Sequence, residues 1–232
     1  MQAIGIAVAV GVGAGALGWW FRASGLVTRW AVATDEASPH GNRALPPLIW
    51  PVATGLSASA VLWDLLTGHL GRFTSAAFAP WAVASLSVWA FGLALLALVD
   101  REKLLLPSRL IYSCAVATVT LVVAGCAATG EWRFLWQGAL CAVMAGFVFA
   151  AWSLLRPEDL GFGDVRMAVL VAFGAGMCSP PAALVALACA PLLAGAVSNL
   201  LGRSGKTGQP RPVALGPFLA AGGIAVVMAS AI

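Results

Sequence analysis

Residues 77–99 read AFAPWAVASLSVWAFGLALLALV, an uncharged run of 23 residues, and Asp100 follows it directly. At 1.5 Å of rise per residue a helix over this run is about 34 Å long, enough to cross a hydrocarbon core of about 30 Å. Comparable apolar runs occupy about 2–20, 47–68, 109–129, 134–155, 165–178, 181–202 and 213–232. The sequence therefore predicts an all-α fold, a polytopic transmembrane helix bundle of about eight spans forming one domain over 1–232. The sixth run is short, and Ser179-Pro180-Pro181 separates it from the seventh. Proline lacks an N–H and breaks a helix, so a tight turn between two spans is expected there.

Composition supports the same class. Of 232 residues, 61% are hydrophobic and only 9% charged, which excludes a soluble globular domain with an ordinary charged surface. The 13 basic residues stand singly or in pairs between apolar runs and build no basic stripe, so no nucleic-acid partner is expected. Cys114, Cys126, Cys141, Cys178 and Cys189 all fall in apolar runs without a C-x-x-C pair, and read as small buried hydrophobes. The N-terminus has no basic region ahead of its apolar run, so it reads as a retained first span.

The basic residues also orient the chain. With the N-terminus outside, Arg22, Arg29, Arg43, Arg101, Lys103, Arg109, Arg156, Arg166, Arg203, Lys206 and Arg211 all face the cytoplasm. Only Arg72 and Arg133 fall on the other side, and the positive-inside bias selects N-out and C-out. Trp19, Trp20, Trp50, Trp132 and Trp136 near predicted span ends read as interfacial aromatics. The longest loop, about 21–46, is polar, aperiodic and cytoplasmic in this orientation.

Nine acids are the candidates for chemistry; Asp35, Glu36, Glu102, Glu131, Glu158 and Asp159 read as loop residues, and Asp64 lies inside the second run, about five residues from its end. Asp100 differs, because a carboxylate at or just inside a span end is costly unless paired or hydrated. Asp164, in Gly161-Phe162-Gly163-Asp164, opens the sixth span at the same predicted membrane level as Asp100. Two carboxylates 64 positions apart are thus placed to meet. Local sequence leaves a second reading for each: Asp164 ahead of Val165 as a helix N-cap, and Asp100 paired with Arg101 or Lys103 at the surface.

Other constellations are weaker. His40 and His69 are predicted on opposite sides of the membrane and share no metal, so no metal centre and no cofactor are expected. Gly202-Arg203-Ser204-Gly205-Lys206-Thr207-Gly208 matches a P-loop only at its Gly-Lys-Thr end and reads as a flexible basic loop. No serine lies in a G-x-S-x-G elbow, and Ser153 and Ser198 read as helix packing.

With Asp100 and Asp164 identified, the chain resembles the type IV prepilin peptidases, bacterial membrane aspartic proteases with a G-x-G-D signature. The stretch from Asp100 through Leu106-Pro107-Ser108 is similar to the family's first motif, an aspartate followed by Ile/Leu-Pro and usually Asp or Asn. Gly161-Phe162-Gly163-Asp164-Val165-Arg166 resembles the second, with Arg166 where Lys is common, and Leu215-Gly216-Pro217-Phe218 resembles the Gly-Pro-Phe segment opening the last span. The resemblance covers roughly 77–232. It implies Asp100 and Asp164 as the catalytic pair, supported by Pro107, Gly161, Gly163 and Arg166. It further implies residence in the bacterial inner membrane with the site facing the cytoplasm. The implied partner is a prepilin or pseudopilin helix in the bilayer, cleaved after a glycine next to its short basic leader. Long members of the family carry zinc-binding C-x-x-C motifs between their first two spans, whereas residues 21–46 contain no cysteine. The N-methyltransferase activity of those members therefore does not carry over with the resemblance.

Amide hydrolysis needs an activated water and a proton for the carbonyl oxygen or leaving amine, and two carboxyls sharing one proton supply both without a metal. Three other readings stay open on sequence. One is another G-x-G-D intramembrane protease with different substrates. A second is a transporter or channel with an acidic proton or cation relay, and a third is a catalytically silent pilus-assembly component.

Overall fold

A computed structural model describes residues 12–20, 23–24, 49, 52–55, 75, 77–103, 106–156, 160–202 and 215–230. Among them all regular structure is helical. Six helices carry the fold: α1 (Ala79–Lys103), α2 (Ser108–Thr129), α3 (Arg133–Leu155), α4 (Phe162–Cys178), α5 (Pro180–Gly202) and α6 (Gly216–Ser230). Within them, Ala79–Glu102, Ser108–Thr129, Arg133–Leu155 and Pro180–Val197 are long and apolar enough to cross a membrane, and Gly216–Ala229 is a shorter apolar helix. These helices correspond to the last six predicted runs. The first two are described only in part: 12–20 is helical, and Thr54 in the helical stretch 52–55 donates its hydroxyl to the Ala14 carbonyl at 3.2 Å. Asp35, Glu36, His40, Asp64, His69, Glu158, Asp159, all of 25–46 and the basic segment 203–211 lie outside the described residues.

Helix α4 is the axis of the bundle. Val165, Met167, Ala168 and every residue from Leu170 to Cys178 are buried, enclosed chiefly by α3, α5 and α6. Its 17 residues span only about 26 Å, which suits a helix surrounded by protein rather than lipid. Small residues make this enclosure possible. A Cβ on Gly174 would overlap the indole of the fully buried Trp89, so a glycine there lets α1 and α4 approach closely. The Trp89 indole N–H, which would be costly to leave unpaired, donates to the Leu170 carbonyl at 2.8 Å.

The turn expected at Ser179-Pro180-Pro181 is a single extended residue. The Ser179 N–H closes α4 on Ala175, and the Ser179 hydroxyl oxygen accepts the Ala182 N–H at 3.2 Å, so one residue ends α4 and caps α5. All five cysteines are free; Cys114, Cys126 and Cys178 are buried, while Cys141 and Cys189 are half-buried. The buried Cys126 thiol contacts the Glu131 carbonyl at 3.2 Å.

Candidate active site

The apolar run that ends at Val99 does not end its helix. Helix α1 continues to Lys103, so Asp100 is carried on regular helix and is only 6% exposed. Asp100 is therefore no surface partner for Arg101, which is exposed. Its Oδ2 accepts the backbone N–H of Gly216 at 3.0 Å across 116 positions of sequence. Gly216 opens α6, so the carboxylate faces the donor end of a helix, where unsatisfied N–H groups favour negative charge. The approach requires glycine: a Cβ at 216 would lie 2.6 Å from Asp100 Oδ2.

Asp164 is not the N-cap of α4. The cap is Gly161, extended at φ −75° and ψ 152° and without a side chain to offer, and Asp164 is the third helical residue. From there its carboxylate is hydrogen-bonded by the Gly161 backbone, the reach of an acid at this position back to the cap. Asp100 and Asp164 are near enough for their charges to repel.

The remaining motif residues join these two segments. A Cβ on Gly163 would lie 3.0 Å from Leu106 Cβ, so the glycine lets the first turn of α4 seat against the Leu-Pro stretch before α2. Pro107 is buried and sits at the N-cap of α2 with ψ 115°. One residue on, the Ser108 hydroxyl accepts a hydrogen bond from the Arg166 guanidinium, which also lies 5.8 Å from the Tyr112 ring centroid. Residues 100–103, 106–108, 161–166 and 215–216 thus converge at one end of the bundle.

Two contributions are not assigned by the motifs, although Gly216 itself lies in one of them. Ser153, expected only to pack, is buried on α3 and donates its hydroxyl to the Leu160 carbonyl at 3.0 Å, fixing the chain that enters Gly161. Its signal is physical: a hydroxyl in an apolar run must find an acceptor. The second is the Gly216 amide, which leaves no trace in side-chain chemistry. Among the described residues no three His, Cys, Asp or Glu side chains gather as a metal site. The described arrangement offers two neighbouring carboxyls, one held by a helix N-terminus and one by its own cap, a pairing suited to moving a proton between water and a bound amide. Compared with known proteins, the chain matches no family model, no curated sequence and no solved structure.

Proposed function

We propose that this protein is a membrane aspartic endopeptidase that removes the short basic leader of type IV prepilins or pseudopilins at the cytoplasmic face of the bacterial inner membrane. The observation that carries the reading is the convergence of the three motif segments on Asp100 and Asp164, residues 64 positions apart in sequence. One carboxylate takes a proton from water as the water oxygen bonds to the scissile carbonyl carbon. The other carboxyl, protonated, donates to the carbonyl oxygen. Collapse of the tetrahedral adduct then breaks the C–N bond, with a proton passing to the leaving amine. The roles of base and acid belong to the pair.

Co-expression with a candidate prepilin tests the reading through the size shift of the cleaved product. Asp100→Asn and Asp164→Asn should each lower cleavage by about 10²-fold to 10⁴-fold, since an amide replaces neither proton donor nor acceptor. Both variants should insert in the membrane as the wild type does. Wild-type cleavage by either variant overturns the dyad, and loss of cleavage in EDTA restored by added zinc overturns the metal-free mechanism.

A further inference from the structure

Helices α2 and α3 are consecutive and joined by a tight turn at Gly130, yet each packs mainly on other helices, α2 on α1 and α3 on α4. They diverge from that turn and leave a lateral groove of about 420 Å³ floored by α4. Ala115 and Val119 of α2 and Ala139 and Val143 of α3 form its apolar walls, with Val143 68% exposed on the outer rim. The single charged side chain in the lining is Arg166, at the end of the groove nearest Ser108. Its contacts are a hydroxyl and an aromatic ring, and among the described residues it forms no ion pair. Arg109, exposed, lies on α2 three positions before Tyr112 of the same groove. From Ile111 to Val119 the groove follows α2 for about 12 Å, most of the depth of one leaflet in a core of about 30 Å.

We propose that this groove binds an anionic phospholipid, with one acyl chain along α2 and α3 and the phosphate against Arg166. Charge complementarity selects the occupant. A guanidinium without an ion pair among the described residues, at the end of an apolar groove, matches a phosphate attached to a hydrocarbon chain, and basic pockets between membrane helices take anionic headgroups. The molecule carries its own contrast. A second groove, about 470 Å³ between α3 and α5, is lined by residues such as Met144, Trp152, Leu184 and Pro191 and by no charged side chain. It has nothing with which to distinguish one headgroup from another. The proposal requires only that the helices lie in a bilayer and is separate from the peptidase reading.

Native mass spectrometry of the full chain, released from detergent with phosphatidylglycerol or phosphatidylcholine of the same acyl composition, reads the binding directly. The wild type should retain phosphatidylglycerol roughly fivefold better, the scale of one basic residue acting on an anionic lipid. Arg166→Gln should abolish that preference and Arg166→Lys should keep most of it. Ala139→Trp, which fills the groove and leaves the cation, should remove the preferentially held lipid, while Leu184→Trp in the second groove should not. Circular dichroism confirms that each variant is folded. Equal retention of the two lipids by the wild type overturns the proposal, as does a preference that survives Arg166→Gln in the folded protein. Inorganic phosphate that displaces the lipid at equal concentration identifies an ion site instead, and a doubled mass lost in Ala139→Trp identifies a second copy of the chain as the occupant; both overturn it.

Discussion

Within α4, the first turn and the rest of the helix are held in place by different means. From Met167 to Cys178 the helix is fixed by shape: Gly174 against Trp89, Gly176 against Cys141, and an almost unbroken buried surface. From Gly161 to Arg166 only Val165 is buried, Gly161 and Phe162 are exposed, and directional contacts take over: Gly161 to Asp164, Ser108 to Arg166, and Ser153 to Leu160 just ahead. Packing thus decides where the helix stands, and a few polar contacts decide how its charged side chains are aimed. A reactive carboxylate gains precision from a rigid element while its own surroundings stay open to water and substrate.

This contrast breaks most completely if its two ends do not lie as the basic residues predict. Reporters fused after Ser108, Arg156 and Arg203 should read cytoplasmic and one after Gly71 external, because insertion follows the bias of 11 of 13 basic residues. Opposite readings at Ser108 and Arg156 would refute the cytoplasmic site. Next in size is Gly216→Val, which forces Asp100 and the start of α6 apart. Displacements near 1 Å cost catalysis about 10²-fold, so cleavage should fall by that order while the folded protein persists in membranes. Gly174→Leu should reverse the pattern. Overpacking against Trp89 should cost about 1–3 kcal/mol, seen as a lower thermal midpoint, with cleavage per folded molecule reduced far less than by Gly216→Val. The smallest effect belongs to Ser108→Ala. Water replaces the hydroxyl beside the partly exposed Arg166, and cleavage should fall by no more than about fivefold, in line with one hydrogen bond of about 1 kcal/mol.

The helices that carry the site were legible because apolar length is written along the chain. The last six predicted runs and the observed helices agree within about four residues at each boundary, and the Pro-Pro break falls at Ser179. The disagreements are at charged ends. A hydropathy reading stops at Asp100, whereas the helix continues through Lys103, because backbone hydrogen bonding is indifferent to a side chain that another segment satisfies. Asp164 read equally well as a cap, and only the fold places Gly161 in that position. Asp100 could be singled out in sequence by the cost of a carboxylate at a membrane boundary, and Asp164 by its place in Gly161-Phe162-Gly163-Asp164 at the same predicted level. What each one touches could not, since Gly216 and Gly161 act through their backbones, groups that every sequence contains.

Biosynthesis gives the Asp100 to Gly216 hydrogen bond a further consequence. The carboxylate leaves the ribosome 116 residues before the amide that will hold it. At 5–20 residues per second, roughly 6–23 s pass between the two. Throughout that interval the growing chain contains Asp100, and later Asp164, without the helix end that fixes the first of them. A fragment released between residues 164 and 216 would carry both acids and lack the partner of Asp100. Completion of α6 is thus the event that gives Asp100 its final position, so the timing of assembly withholds the finished geometry from unfinished chains.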